Sequence, residues 1–392
     1  MIAELTVDLG ALVRNVAAMR AVAGRAGYGA VVKANAYGHG LAETAQALAP
    51  VVDGFCVYRP DEATALRDAA IATPILILGP VEAHELDAVQ AADAALALWS
   101  TGGFRRDAVR AAARRGRRLR VHAKIDTGVA RLGIPAVAAA AALAADLADA
   151  GIALEGVFTH LAAAEELASA FTALQLARFA AATAPHAAAL AARGVLRHAA
   201  ASAAAILYPE SRLDLVRAGI ATYGIWPSPA TQLAAAESLV LEPALAWTTS
   251  LVVVRDVAAG EPVGYGCSYR TERDSRIGVL PIGYAEGLPR ALGNAGNALV
   301  GGRSVPFIGR VCMNMAFLDV TDVPGAAPGG RVTLVGRDGD VAQDANELAA
   351  AAGTIGYELL ARLPAAIPRR YARSTAAATT AASASVRSSV PS

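Results

Sequence analysis

The sequence predicts an α/β protein, a (β/α)8 TIM-type barrel followed by a mainly β C-terminal domain. Three observations carry that expectation. Between residue 29 and about residue 220, short apolar runs alternate with alanine-rich stretches of helical spacing, and such alternation calls for a parallel sheet with crossover helices. The runs number eight, as many as close this kind of barrel. After about residue 240 the helical spacing ends, and apolar runs follow one another between Gly, Pro and Asp turns.

In chain order the barrel strand candidates are Ala30–Val32, Gly54–Tyr58, Ile75–Leu78, Ala95–Trp99, Arg120–Ile125, Leu154–Thr159, Leu196–Ala201 and Leu213–Arg217. Between them, Pro60–Ala70, Phe104–Arg115 and Pro135–Ala150 read as amphipathic helices. Pro60-Asp61-Glu62 places acids in a first helical turn, where they complement the helix N-terminus. In the second half, Leu251–Val257, Ile277–Ile282, Ala298–Val300, Val305–Val311, Phe317–Val320 and Arg331–Val335 read as strands, with a short helix at Asp344–Ala352. The expected division is residues 1–239 for the barrel, 240–371 for the β-rich domain and 372–392 for a tail. That tail is an Ala/Ser/Thr segment without a packing face and reads as disordered.

Composition narrows the function classes. A net charge of +1 from nearly equal acids and bases argues for neither nucleic acid nor a membrane surface as partner. The mean hydropathy of +0.40 comes mostly from alanine. The longest uncharged stretch, Ala218–Ala236, contains Gly219, Gly224, Pro227 and Pro229 and makes a poor bilayer span. The start, MIAELTVDLG, lacks the basic and apolar regions of a signal peptide. Cys56, Cys267 and Cys312 are too far apart in sequence for a disulfide framework or a zinc cluster. A cytoplasmic protein without a bound metal is expected.

Lysine is almost absent. Lys33 and Lys124 are the only two, against 33 arginines. Arginine replaces lysine as a charge, and improves on it in bidentate pairs. It does not lose its proton near neutral pH to attack a carbonyl. The two retained lysines are therefore candidates for amine chemistry. A barrel collects its functional groups at the C-terminal ends of its strands, and the reactive candidates here obey that rule. Lys33 follows the first strand, Lys124 and Asp126 close the fifth, and His160 follows the sixth. Ser202 follows the seventh, while Arg217, Gly219 and Ile220 lie at and after the eighth. Loops after the last two strands are the usual phosphate cradle of this architecture.

At these residues the chain resembles the alanine racemases, pyridoxal-phosphate enzymes built as a barrel followed by a β domain. VVKANAYGHG resembles the family's cofactor-lysine segment, KIDTGVARLG its K-x-D-T-G-M-x-R-L-G block and GVFTHLAAAEE its T-H-F-A block. LVRAGIATYGIWPS, PVGYGCSY, PIGYAEGLPR, GRVCMNM and GTIGYELL match in order and spacing. The resemblance implies interconversion of L- and D-alanine by a two-base mechanism, supplying D-alanine for peptidoglycan. It implies Lys33 as the Schiff-base lysine for pyridoxal 5′-phosphate and as one acid/base group, with Tyr265 as the other. Two groups are needed because racemisation removes a proton from one face of Cα and delivers one to the opposite face. Both are poor bases at their ordinary pKa of about 10, so the site must depress them.

The same resemblance assigns Tyr37, Arg131, His160, Ser202, Arg217, Gly219, Ile220 and Tyr357 to the cofactor, and Arg131 and Met313 to the substrate. Arg217 would donate to the pyridine nitrogen without protonating it, and with His160 would favour the Tyr265 phenolate. Lys124 is carbamylated by CO2 in many members, which needs an amine that arginine lacks. A homodimer is implied in which the partner's β domain covers each barrel mouth, so Lys33 and Tyr265 of one site come from different chains. The chain departs from the family pattern at Ala201 for asparagine, Asn314 for aspartate, Val129 for methionine, Glu286 for aspartate and Ala366 for arginine. These departures keep open a broader-specificity serine/alanine racemase on the same scaffold. A non-catalytic pyridoxal-phosphate carrier is a further alternative, against which Tyr265 and Met313 argue, because a carrier needs no second acid/base group.

Overall fold

The computed structural model describes residues 3–374. Among the described residues, eight parallel strands form the wall of the first sheet: Gly27–Val31, Gly54–Val57, Ile75–Ile77, Ala95–Leu98, Leu119–Asp126, Ile152–Phe158, Leu196–His198 and Leu215–Ala218, with the two-residue strand Ile134–Pro135 added beside Leu119–Asp126. They pair in chain order, and the last returns to pair with the first. At the remaining seam, Asp214 N–H donates to Arg197 O and Arg217 N–H to Ala200 O, both at 3.0 Å. The barrel is thus nearly closed, as the alternation of apolar runs predicts.

The predicted helices form at Pro60–Asp68, Gly103–Arg114 and Ala136–Ala148. Alanine dominates the last of these, and its small side chains allow close approach to neighbouring elements. Ala139, Ala142 and Leu143 are buried, and the buried Asp146 accepts from Arg105 Nε at 2.9 Å. That pair ties two neighbouring crossover helices together. Strand alternation matters for the site, because residues two apart share a face. His122 and Lys124 therefore share one face of their strand, both buried at 7% exposure.

The second unit holds a sheet in the order Arg303–Pro306, Asn297–Val300, Arg331–Asp338, Leu245–Ser250, Ala3–Asp8, Arg369–Ala372. A three-stranded sheet, Val253–Val257, Ser275–Leu280 and Ala316–Asp319, lies beside it. The expected strand Leu251–Val257 is found as Val253–Val257, and Leu251-Val252 separate it from Leu245–Ser250 of the first sheet, a strand the sequence did not single out. The short helix is found at Ala345–Ala351, with Asp344 Oδ1 accepting from Glu347 N–H at 2.8 Å as its cap.

One strand departs from the expected division at residue 239. Ala3–Asp8 is built into the second sheet, antiparallel to Leu245–Ser250 and parallel to Arg369–Ala372. Its burial alternates, with Ala3, Leu5 and Val7 inward and Leu5 opposite the fully buried Trp247. Such alternation suits a sheet covered on one face, not a barrel strand covered on both. Asp8 then caps the following helix, Leu9–Ala23, by accepting from Gly10 and Ala11 N–H at 2.8 and 3.1 Å. The expected disordered tail lies outside the described residues from 375 onward. Ala372 still ends a strand, and Ser374 N–H donates to Asp8 at 3.2 Å. Among the described residues, no helix is long and apolar enough to cross a membrane.

Candidate active site

A cavity of about 910 Å3 opens at the C-terminal ends of the barrel strands. Its lining includes Lys33, Tyr37, Lys124, Arg131, His160, Ser202, Arg217, Gly219, Ile220 and Tyr357. Ten residues from segments spread over 325 positions of sequence thus meet in one place, all of them singled out from the sequence.

Lys33 opens the short segment Lys33–Tyr37, whose backbone is unusual. Ala34, Asn35, Ala36 and Tyr37 hold φ of 54°, 54°, 53° and 51°. Left-handed helix costs residues with a Cβ on the order of 1–2 kcal/mol each. The turn brings Lys33 and Tyr37, four residues apart, to the same cavity. Burial, followed by the charge of Arg131, pushes the Lys33 amine below the ordinary lysine value, while the Glu62 carboxylate pulls it upward. A lysine in that state exposes a lone pair near neutral pH more readily than a solvated one.

Behind the cavity runs a buried chain of three side chains. Arg217 Nη1 lies 2.6 Å from His198 Nδ1, and His198 Nε2 lies 2.7 Å from His122 Nδ1. Arginine only donates, so the network assigns His198 Nδ1 as acceptor and Nε2 as donor. The same logic makes His122 Nδ1 an acceptor and puts its proton on Nε2. Burial, then the Arg217 charge, holds His122 down at about 3 and His198 well below the ordinary value, so both rings are neutral. Arg217 Nη2 also donates to Thr159 O at 2.8 Å and Ala199 O at 3.2 Å. Burial lowers Arg217 to about 10, which leaves it charged at neutral pH. His160 is held at about 3 by burial and then by Arg217. It is therefore a neutral imidazole, and the positive charge in this part of the site resides on Arg217.

The loops after the last two strands bring a hydroxyl and backbone amides together. Ser202 Oγ accepts from Gly219 N–H at 3.0 Å and Ala221 N–H at 3.3 Å, which leaves its own proton for another acceptor. A Cβ on Gly219 would sit 2.6 Å from Tyr37 Oη, so a side chain there would displace that hydroxyl. Tyr37 stacks on Tyr223 at 4.9 Å and lies 6.3 Å from Tyr357, centroid to centroid. Burial raises both the Tyr37 and Tyr357 phenols, so they remain protonated donors.

Lys124 is 7% exposed, with Nζ 5.8 Å from the centroid of the Phe158 ring. Burial, then Arg131 and Arg217, lowers it to about 8. Two residues on, Asp126 Oδ1 accepts from Gly128, Val129 and Ala130 N–H at 2.9, 3.0 and 3.2 Å. Those bonds shape the loop that brings the exposed Arg131 to the cavity.

Tyr265 and Met313 do not join this group. They line a second cavity of about 790 Å3 in the β unit, with Tyr284, Arg290 and Arg310, and among the described residues none lines both cavities. Tyr265 sits at the tip of the hairpin Pro262–Val263/Tyr269–Arg270, between Gly264 and Gly266 at φ of 74° and 73°. It is 72% exposed, and Met313 is 57% exposed.

Sequence reasoning missed Glu62, His122 and His198 as members of the site. Glu62 reads as an ordinary acid in a first helical turn, yet its Oε1 accepts from Ala34 N–H beside Lys33 at 2.7 Å. His122 carried a signal, since it lies two residues before Lys124 and must share its face.

A nearly closed parallel barrel that gathers a desolvated amine, hydroxyls and a buried guanidinium at its strand ends fits a barrel enzyme of amine chemistry. Comparison with known proteins names the family. Residues 7–227 match the family alanine racemase, N-terminal domain, and residues 244–371 match alanine racemase, C-terminal domain. The chain is 40% identical over 367 residues to the alanine racemase of Symbiobacterium thermophilum, covering 93% of this chain and 96% of that one. The crystal structure of alanine racemase from the D-cycloserine producer Streptomyces lavendulae superposes with a TM-score of 0.86 at 32% identity, covering 95% of this chain and 98% of the other. That of Streptomyces coelicolor gives 0.87 at 33% identity, covering 94% and 97%. The chain belongs to the alanine racemase family, and it is an amino-acid racemase, an isomerase.

Proposed function

We propose that this enzyme racemises alanine with pyridoxal 5′-phosphate bound at Lys33, working in the cytoplasm as a homodimer and supplying D-alanine for peptidoglycan. The observation that carries the reading is the meeting, in one cavity, of a desolvated lysine with a cradle of hydroxyls and amides. That donor set fits the cofactor. Ser202, Tyr37, Tyr357, Gly219 and Ile220 would hold the phosphate, Arg131 the phenolic oxygen and Arg217 the ring nitrogen. When bound, the cofactor supplies an electron sink for the pair left behind when the Cα proton departs.

The residues divide the remaining work. The Lys33 amine, kept below its ordinary value by burial and Arg131, moves a proton on one face of Cα. Tyr265 moves the other proton on the opposite face. Arg217 donates to the ring nitrogen and keeps its own proton, which restrains the electron sink and side reactions with it. Arg131 and Met313 would bound the space for a small side chain. Tyr265 lines a different, exposed cavity within one chain. A second copy presenting its Tyr265 to the barrel mouth of the first supplies the missing group, and this supports a site shared between two chains.

Incubation of L-alanine with the enzyme and pyridoxal 5′-phosphate, followed by chiral product analysis, tests the reading. The expected product approaches equal amounts of the two enantiomers. Absence of D-alanine would contradict it, and CO2 with an amine product would indicate a decarboxylase. Comparable rates with L-serine would widen the substrate range, as the departures at Ala201 and Asn314 allow.

Lys124 completes the reading as a carbamate. Its neutral amine attacks CO2, an N–C bond forms as one C=O π bond opens and leaves its pair on oxygen, and the nitrogen's extra proton leaves to solvent. At about 8, roughly half of the amine is neutral at pH 8, against well under about 1% for an ordinary lysine. The new negative charge would then hold Arg131 in place. Mass measurement across bicarbonate concentrations is expected to show a modified fraction that rises between about pH 7 and pH 9. Unmodified mass at every concentration, with full activity in Lys124→Ala, would remove this role.

A further inference from the structure

The left-handed turn that carries Lys33 is gripped by side chains from outside it. The Glu62 carboxylate accepts from Ala34 N–H at 2.7 Å through Oε1, and from Tyr58 and Arg59 N–H at 2.7 and 3.1 Å through Oε2. One carboxylate thus joins the ends of two neighbouring strand–helix loops. At the other end, His39 is fully buried, with Nδ1 3.1 Å from Ala36 O and 2.9 Å from Tyr37 O. Carbonyls only accept, so Nδ1 carries the proton. The ring also packs 4.5 Å from Tyr223, centroid to centroid, and Tyr223 in turn stacks on Tyr37. Four successive left-handed residues persist only where the surroundings over-determine them, and these contacts meet that need.

We propose that Glu62 and His39 are positioning residues that hold the Lys33–Tyr37 turn left-handed, aiming the lysine amine and the tyrosine hydroxyl into one cavity. This rests on the reading of Lys33 as the cofactor lysine. A carboxylate suits the task because both of its oxygens accept. Glutamine at position 62 would turn a donor toward one of the backbone N–H groups it now satisfies. Glu62 has a second effect, since its negative charge favours the Lys33 ammonium. Removing that charge moves the Lys33 titration to lower pH, which loss of a merely structural contact would not do.

The test uses the full chain with pyridoxal 5′-phosphate as probe and the visible absorbance of the lysine-bound cofactor as signal. Glu62→Gln is expected to weaken cofactor binding about tenfold and to move the pH midpoint of its capture downward. His39→Leu is expected to weaken binding about tenfold without moving the midpoint. His39→Asn, whose amide nitrogen can occupy the place of Nδ1, should stay within about threefold of wild type. In the cofactor-free protein, exchange of the Ala34 amide hydrogen should speed up about tenfold in Glu62→Gln. Should that variant not fold, Glu62→Asp, one methylene short but still charged, is read by cofactor affinity and Ala34 exchange alone, and unchanged exchange then overturns the role of Glu62. An unmoved midpoint together with unchanged Ala34 exchange overturns the role of Glu62. Equal losses in His39→Asn and His39→Leu overturn that of His39. Wild-type protein that captures no cofactor contradicts the reading of Lys33 instead, and the exchange measurement still decides whether Glu62 holds the turn.

Discussion

Lys33→Ala is expected to abolish the visible absorbance of the cofactor-loaded protein and to cut racemisation by about 10^3-fold or more. On the proposed function the variant loses both the covalent attachment and one of the two proton-transferring groups. The scarcity of lysine makes the test unusually clean, because Lys124 is the only other side-chain amine in the chain. Lys124 lines the same cavity, so a lysine-bound spectrum that survives in Lys33→Ala would move the attachment there. Spectra and chiral assays on Lys33→Ala, Lys124→Ala and wild type decide between the two. Only the first is expected to be colourless.

Tyr265→Phe should behave differently. The hydroxyl lies in the β unit, outside the cavity that Lys33, Ser202 and Arg217 of the same chain line. Its loss is expected to leave the visible absorbance intact while lowering the turnover by about 10^2–10^4-fold. In deuterated water the variant should still exchange the α-hydrogen of one enantiomer through Lys33, and lose exchange for the other. Equal exchange of both enantiomers at wild-type rates would show that Tyr265 moves no proton. The contrast in colour between the two variants separates binding of the cofactor from proton transfer.

The barrel was legible because its signals are local. Each strand is a short apolar run, and the groups at the strand ends follow from the architecture once eight runs are counted. Lys33 stood out by residue economy alone, in a chain that otherwise uses arginine for positive charge. What remained hidden depends on groups distant in sequence. His122 and His198 are 76 positions apart, and only their 2.7 Å contact, with Arg217 behind it, fixes their tautomers. Glu62 announced a helix start but not its bond to Ala34 across the next loop. Ala3–Asp8 lies in a sheet whose other strands come more than 230 residues later.

Two departures from the family pattern also changed meaning in three dimensions. Asn314 and Glu286 read in sequence as separate changes near the substrate-facing loops. In the structure Asn314 Nδ2 donates to Glu286 Oε1 at 2.7 Å. Tyr284 N–H donates to Cys312 O at 3.1 Å and Ala285 N–H to Met313 O at 2.9 Å. An amide facing a carboxylate thus joins two loops that also share backbone bonds, where two carboxylates at that distance would repel.

Subunit exchange between Lys33→Ala and Tyr265→Ala proteins tests most directly whether two chains build each site. Both variants alone should be inactive. Random exchange makes about half of the dimers mixed, and a shared site gives each mixed dimer one doubly altered site and one unaltered site. About a quarter of all sites should therefore regain full activity. If Lys33 and Tyr265 instead act within one chain, every site keeps one lesion. Mixing that restores nothing, despite exchange demonstrated independently, would contradict the shared site.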